Sequence, residues 1–372
     1  MDDLAEYHHL EPLRLPTGER VFTKSGVRGY PGWPPGITLL LNRVPFDGHC
    51  LLDVTASAGM VARRALGRAR GIRVLEPSRA ALRCAGRTLE GTSALVVAGV
   101  PWEAPAGRAD LVCLAPPAER GSVRVNAEVV GAWRALRPGG MAYLLLHKDR
   151  GAKRYEREVA SRFGRLEVVA RSGGWRLSRI SKQVGERGDP QVEPLFFTAG
   201  KWELLAFPGV FAAGKLDPGT EALLHYLPRL ELSGRRVLDL GCGYGVLALW
   251  AARAGAQVVA LDDDWAAVRS AAWNAGNHGL RLEVRHSDVD SALRPDERFE
   301  VVLMNPPFHV GKQVRFEVSR AFVAAAYRRL VPGGSLLMVA NQALPYEPLF
   351  RGWRALDLLL PGPPFKVLQV VK

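Results

Sequence analysis

Residues 305–308 read Asn-Pro-Pro-Phe and follow the apolar run FEVVLM, a pattern that predicts a buried strand opening into a loop. Consecutive prolines stiffen that loop and strip it of amide donors, leaving carbonyl acceptors. An acceptor-only loop suits an amine. Asn305 offers a side-chain oxygen and Pro306 a carbonyl, so together they can hold both N–H groups of an exocyclic or amide nitrogen. Such a nitrogen is a poor nucleophile because its lone pair is delocalised, and two directional acceptors favour the pyramidal form that attacks. The contribution is position and hydrogen bonding more than strong base. Phe308 offers a face on which a flipped-out base can stack, typically worth ~1–3 kcal/mol. Taken singly, Asn305 also suits a turn cap and Phe308 a core position.

A second constellation is DLGCGYG, residues 239–245. A glycine turn after a strand lets backbone approach a nucleotide-like ligand, and an acid at the next strand end suits ribose hydroxyls. Asp262, with Asp263 beside it, stands at that place. The spacing is Gly-x-Gly-x-Gly, not the longer dinucleotide fingerprint, which argues against a nicotinamide dehydrogenase. Asp239, two residues before Gly241, points instead to a ligand with a positive group. Asp288 ends a third strand, where it would equally cap the next turn.

These residues sit at the ends of elements that alternate in type. RRVLDLGCGYG is a strand entering a turn, VLALWAARAGA a helix, QVVALDDD a strand and WAAVRSAAWNAGNHG a helix stopped by glycine. LRLEVRHSD and FEVVLMNPPF are further strands, then SRAFVAAAYRRLVPGG a helix and SLLMVAN a strand. Such alternation implies a parallel sheet covered on both faces. The first half repeats the order: HCLLDVTASAG, IRVLEPSRAAL, ADLVCLAPPAERG and WRALRPGGMAYLLLHKDRGAKRY answer four of these segments in turn. The polar stretch at 184–194, VGERGDPQVEP, reads as a linker. The expected fold is α/β: two tandem Rossmann-like domains from an internal duplication, residues 1–190 and 191–372. The first copy is degenerate. Thr55 and Ser57 stand where Gly241 and Gly243 should, and Ala115, Ala118 and Glu119 replace Asn305, Phe308 and His309. Side chains at 55 and 57 would obstruct the close backbone approach a nucleotide needs.

With 372 residues and 48% hydrophobic content, the chain can build two cores. Its net charge of +13 is uneven: residues 1–194 carry 30 Lys and Arg against 20 Asp and Glu, residues 195–372 only 20 against 17. A polyanionic partner gripped by the first half is the physical implication. Residues 147–182 concentrate eleven Lys and Arg against four acids, with Tyr155, Phe163 and Trp175 interspersed. The four cysteines have neither the pairing nor the spacing of disulfide or zinc sites, so neither is expected. No apolar run approaches the ~20 residues of a membrane span, and the acidic start is no signal peptide, so a cytoplasmic location is expected.

DLGCGYG followed by Asp262 resembles motif I of the class I S-adenosylmethionine-dependent methyltransferases. The resemblance implies S-adenosylmethionine as cofactor. It puts Asp239 near the methionine amino group, Gly241 and Gly243 along the turn, Asp262 and Asp263 at the ribose and Asp288 at the adenine amino group. Asn-Pro-Pro-aromatic is shared by nucleic-acid base methyltransferases and by the glutamine-N5 methyltransferases of release factors, which usually have Tyr where Phe308 stands. NPPFHVG, with PGVFAAGKLDPGT at 208–220, is similar to the ribosomal RNA guanine-N2 methyltransferases of the RsmC/RlmG family, and to the RsmC type most. In that family the second segment lies over the donor site, which would bring Lys215, Asp217, Gly219 and Thr220 near the methionine end. Asp217 or Thr220 would equally cap the following helix. Asn305, Pro306 and Phe308 would be catalytic, and Pro307 and His309 would contact substrate. The implied reaction is methylation of a guanosine N2 in small-subunit (16S) ribosomal RNA. Large-subunit (23S) RNA and a protein glutamine are the alternative substrates, and an RNA-binding assembly factor is the non-enzymatic alternative. No metal or membrane partner is expected.

Overall fold

The computed structural model describes residues 3–183, 190–307, 316–360 and 364–372. Helix α1 (Asp3–His8) opens the chain, followed by a hairpin of β1 (Glu11–Arg14) and β2 (Arg20–Thr23). Then come α2 (Ile37–Arg43), β3 (Cys50–Val54), α3 (Met60–Ala65), β4 (Gly71–Glu76), α4 (Arg79–Thr88) and β5 (Leu95–Ala98). The first sheet is completed by β6 (Ala109–Leu114), α5 (Ser122–Ala135), β7 (Leu136–His147), α6 (Ala152–Phe163), β8 (Leu166–Ser172) and β9 (Trp175–Ser181). A second hairpin, β10 (Leu195–Ala199) and β11 (Trp202–Ala206), precedes α7 (Pro218–Leu224), β12 (Arg236–Leu240), α8 (Val246–Arg253) and β13 (Gln257–Asp262). The chain ends with α9 (Trp265–Asn277), β14 (Leu282–His286), β15 (Phe299–Met304), α10 (Phe316–Arg329), β16 (Leu330–Asn341), β17 (Ala355–Leu360) and β18 (Phe365–Val371).

Two compact units result: residues 9–193, and residues 194–372 joined by the first eight. This corrects the expected first domain at its start. The short helix α1 carries Leu4 and Tyr7 three residues apart on one face, and both are buried in a core cluster with α10 residues such as Ala321, Phe322 and Ala325. Residues 184–189 of the expected linker lie outside the described residues.

Each unit holds a seven-stranded sheet, in the orders β5-β4-β3-β6-β7-β9-β8 and β14-β13-β12-β15-β16-β18-β17. In both, pairing is parallel as far as the fifth strand and antiparallel for the last two. The same plan is thus built twice. Central strands covered on both faces need apolar residues at consecutive positions, and all six residues of β6 are buried. The shared Pro-Gly-Gly turn also has a packing reason. A Cβ on Gly140 would lie 3.0 Å from the carbonyl oxygens of Arg137 and Asp110, and one on Gly334 would lie 3.0 Å from those of Glu300 and Val331. Acids at the start of the fourth strand of each sheet match too: Asp110 Oδ2 accepts from the Cys50 N–H (2.8 Å), and Glu300 Oε2 from the Arg236 N–H (2.7 Å). Among the described residues no helix is long and apolar enough to cross a membrane, and no group of three His, Cys, Asp or Glu could hold a metal.

Candidate active site

Asp239 lies near the carboxyl end of β12, where ligands bind in open parallel sheets. It is fully buried, and its Oδ2 accepts from the Ala248 N–H in the first turn of α8 at 3.0 Å. Its Oδ1 is also buried and receives no hydrogen bond among the described residues. Burial, with the nearby Asp262 charge adding to it, pushes this carboxyl up to about 7. The turn that follows holds Gly241 at φ 85° and Gly243 at φ 56°, a region that disfavours side chains. A Cβ at Gly243 would meet nothing within 4 Å, so the turn borders open space.

Asp262, at the end of the neighbouring β13, ties this turn in place: its Oδ2 accepts from the Gly243 N–H (2.8 Å) and its Oδ1 from the Asp264 N–H (2.9 Å). Asp264 caps α9, and the Asp263 carbonyl lies 2.7 Å from the His286 ring. Asp288 is wholly enclosed, with His8 of α1 3.4 Å from its carboxylate. His8 carries no signal of its own in the sequence, and the six-residue helix that brings it there carries little.

The first unit is an internal control for this geometry. Asp53 occupies the place of Asp239, and its Oδ2 likewise accepts from a helix amide nine residues on, Ala62, at 3.0 Å. Its Oδ1 differs: it accepts from both the N–H (3.0 Å) and the hydroxyl (2.6 Å) of Thr55. The Thr55 hydroxyl in turn lies 2.6 Å from that of Ser57. The residues that replace Gly241 and Gly243 therefore do more than obstruct; they satisfy the acceptor that stays open in the second unit. Arg28 meanwhile donates to the carbonyl of Ala115, the counterpart of Asn305, at 2.7 Å.

Asn305 leaves β15 half-buried, and its amide nitrogen donates to Asp217 Oδ2 (3.1 Å) and Thr220 Oγ1 (2.9 Å). A carboxylate can only accept, so the nitrogen must face Asp217 and the oxygen must face away. Neither that oxygen nor the Pro306 carbonyl receives a hydrogen bond among the described residues. The Pro307 carbonyl, by contrast, takes a hydrogen bond from Ser319 Oγ (3.4 Å), which contacts the buried Tyr346 hydroxyl (3.1 Å). Ser319 and Tyr346 were not recognisable as loop supports, because neither belongs to a motif.

Asp217 caps α7 by accepting from the Thr220 N–H at 2.8 Å, and so is both cap and orienter of Asn305. Gly219 is buried where a Cβ would crowd Asp217 Oδ2 (3.0 Å) and the Phe365 ring (3.3 Å). Lys215 is exposed, and its carbonyl accepts from the Tyr244 hydroxyl at 3.4 Å. Phe308 and His309 lie outside the described residues.

Comparison with known proteins agrees with this layout. The methyltransferase small domain family model matches residues 19–179 and again 201–369. A solved structure from T. Thermophilus, a 16S rRNA N2 methyltransferase (RsmC) in complex with AdoMet and guanosine, is 40% identical, with a TM-score of 0.88 over 99% of both chains. Ribosomal RNA small subunit methyltransferase C of Chromohalobacter salexigens is 38% identical over 49% of this chain and 55% of its own length. Ribosomal RNA large subunit methyltransferase G of Alcanivorax borkumensis is 35% identical over 47% of this chain and 46% of its own. The chain spans about half the length of these curated relatives. With one match in each unit, the chain belongs to the methyltransferase small domain family and, within it, to the RsmC/RlmG group.

Proposed function

We propose that this protein transfers a methyl group from S-adenosylmethionine to the exocyclic N2 of a guanosine in small-subunit (16S) ribosomal RNA. The observation that carries this reading is the fixed orientation of Asn305, which leaves its Oδ1 and the Pro306 carbonyl as two acceptors that no donor among the described residues fills. Guanine N2 brings two N–H groups to such a pair. As that nitrogen pyramidalises and gains positive charge, its N–H groups become stronger donors, so the two acceptors bind the transition state more tightly than the ground state. Phe308 stacks on the flipped base, and Pro307 and His309 border it.

S-adenosylmethionine supplies, when bound, an electrophilic methyl on a sulfonium. The residues present fit it. The unsatisfied Asp239 Oδ1 matches the ammonium of its methionine end, and the open space at Gly243 admits it beside the turn made with Gly241. Asp262 and Asp263 serve the ribose, and Asp288 the adenine amino group. Lys215, Asp217, Gly219 and Thr220 form the segment above the donor, where Asp217 and Thr220 also hold the Asn305 amide. The RsmC relative solved with AdoMet and guanosine supports both ligands. Ribosomal RNA within the small subunit is the partner, gripped by the basic first unit, and the reading goes with a cytoplasmic location.

Radiolabelled S-adenosylmethionine, offered with small subunits, large subunits and release factor in parallel, tests the reading when the labelled product is digested to nucleosides. N2-methylguanosine from small subunits is expected. Asn305→Ala should lower transfer by ~10²-fold or more while cofactor affinity stays unchanged. Label in large subunits alone would move the substrate to 23S RNA, consistent with the methyltransferase G relative. Label only in protein would overturn the reading.

A further inference from the structure

The first unit contains a cleft of about 650 Å³ between α6 and the strand β8, lined by Lys153, Glu156, Arg157, Leu166, Arg171 and Arg176 among others. Its single acid is already committed. The buried Glu156 carboxylate accepts from Arg176 at 2.7 and 2.9 Å and from the Ser178 hydroxyl at 2.5 Å, so that pair is neutral as a unit. Lys153, Arg157 and Arg171 are exposed and have no carboxylate partner among the described residues. Lys153 and Arg157 stand four apart on one helix face, where like charges repel and destabilise the helix. Three converging cations beside a neutralised acid are relieved by an anion placed between them. Among the described residues the strand β8 is also the edge of its sheet, pairing with β9 on one side, and an edge strand presents open backbone groups on the other.

The duplication gives this feature a contrast. The corresponding connection of the second unit, between β16 and β17, contains only a short 3-10 turn at Glu347–Phe350, and Tyr346 and Phe350 beside it are buried in the core. The cationic helix belongs to the copy that has lost its catalytic residues. We infer that the α6–β8 cleft is a binding site for the phosphate backbone of the substrate RNA, with Lys153, Arg157 and Arg171 as its phosphate ligands. The inference rests on the reading of this protein as an RNA methyltransferase and names the surface by which the first unit grips its substrate. Arg154 and Arg162 of the same helix are engaged elsewhere, the first 3.5 Å from Glu158 and over the Tyr155 ring, the second over Phe163.

Equilibrium binding of the full-length protein to labelled small-subunit RNA across a salt series tests the cleft without turnover. Each phosphate contact contributes about 0.7–0.9 to the slope of log affinity against log salt, so Lys153→Gln with Arg157→Gln and Arg171→Gln should reduce the slope by about 2–3. The affinity should fall by ~10-fold or more at 0.15 M salt. An equal charge change elsewhere on the unit, Arg14→Gln with Arg43→Gln and Arg73→Gln, should leave the slope near that of the unaltered protein. Arg157→Lys with Arg171→Lys should keep most of it. The cleft is overturned if the first triple variant keeps its slope, or if both triples lose it equally. Methyl transfer is measured in parallel: absence of N2-methylguanosine with the unaltered protein would sink the proposed function, whereas an unchanged slope beside active transfer would sink the cleft alone.

Discussion

Replacing Asp239 with Asn should have opposite effects on stability and on cofactor binding, and the structure gives the sizes. In the folded protein the Asp239 carboxyl is raised from 3.8 to about 7 by burial, while in the unfolded chain it titrates near its ordinary value. The folded state therefore binds the extra proton between those values, and stability falls as pH rises through that window. About three pKa units correspond to about 4 kcal/mol, fully expressed above pH 7. An Asn oxygen can still accept from the Ala248 N–H, while its amide nitrogen replaces the unsatisfied Oδ1, at a cost of ~1–3 kcal/mol. The net expectation for Asp239→Asn is a gain of ~2 kcal/mol at pH 8, or ~4–8 °C for a unit of this size. At pH 5, where Asp239 is already neutral, the gain should vanish.

Affinity for S-adenosylmethionine should fall by ~30-fold or more, since a buried charge pair to the ammonium is lost. For the unaltered protein the same affinity should weaken as pH drops below about 7, because the proton competes with the ammonium for Asp239. Asp53→Asn is the control. Burial raises the Asp53 carboxyl too, but hydrogen bonds from Thr55 and Ala62 oppose that, and Asn there sets an amide against a Thr55 donor, so the gain at pH 8 should fall short of that at Asp239 by ~1–3 kcal/mol. Scanning calorimetry at pH 5 and pH 8, with titration calorimetry of the cofactor, reads all of these. If Asp239→Asn destabilises the ligand-free protein at pH 8, or if the two substitutions behave alike, Oδ1 is not an acceptor held open for a ligand.

Three further substitutions probe the supports of the site. Asp217→Ala removes the α7 cap and the carboxylate that orients Asn305; it should cost ~1 kcal/mol of stability and about tenfold in single-turnover transfer, with cofactor affinity read separately by titration. Arg329→Met removes the buried one of two guanidinium groups 2.6 Å from the buried Asp290, leaving Arg328 and His8, and should cost ~1–3 kcal/mol in urea unfolding at pH 7. Burial alone raises the Asp290 carboxyl, but hydrogen bonds from His8, Arg328 and Arg329 hold it well below the usual range. Its contribution is therefore complete above its unfolded value near 4, and the penalty should shrink as pH falls below that. Gly334→Ala forces a Cβ to within 3.0 Å of two carbonyl oxygens and should cost ~1–3 kcal/mol by thermal unfolding, as should Gly140→Ala in the other unit.

Much of the fold is legible in the chain because a parallel strand covered on both faces must be apolar at consecutive positions. VLDL, VVAL and VVLM announce themselves, and the candidate site residues stand at or just beyond their carboxyl ends. The positions of Asp239, Asp262 and Asn305 at those strand ends are legible in this way. The placement of α1 is not, because six residues with two buried apolar side chains carry little signal and their partner α10 begins more than 300 positions later. The strands β17 and β18 also escaped, since an antiparallel edge pair lacks the strand–helix alternation by which the rest was traced. Nor does sequence spacing bring Asp217 to Asn305, 88 positions apart; only the cap geometry of α7 does so.

The two carboxylates at the same place on one plan explain what distinguishes a site from a scaffold. A ligand-binding acid must be left short of a donor in the empty protein, and that shortage weakens the fold that contains it. Gly241 and Gly243 preserve the shortage, because they bring no hydroxyl to Asp239 and leave room beside it. In the first unit Thr55 and Ser57 close the same acceptor from within. That turn has also moved its left-handed positions to Ala56 and Ala58, each carrying a backbone cost of ~1–2 kcal/mol that glycine would avoid. A turn that tolerates two such alanines while satisfying its aspartate is organised around internal hydrogen bonds, with no demand that a ligand approach the backbone. Filling that acceptor from within therefore need not weaken the first unit: its aspartate is satisfied by the chain itself, where Asp239 keeps one oxygen without a donor among the described residues.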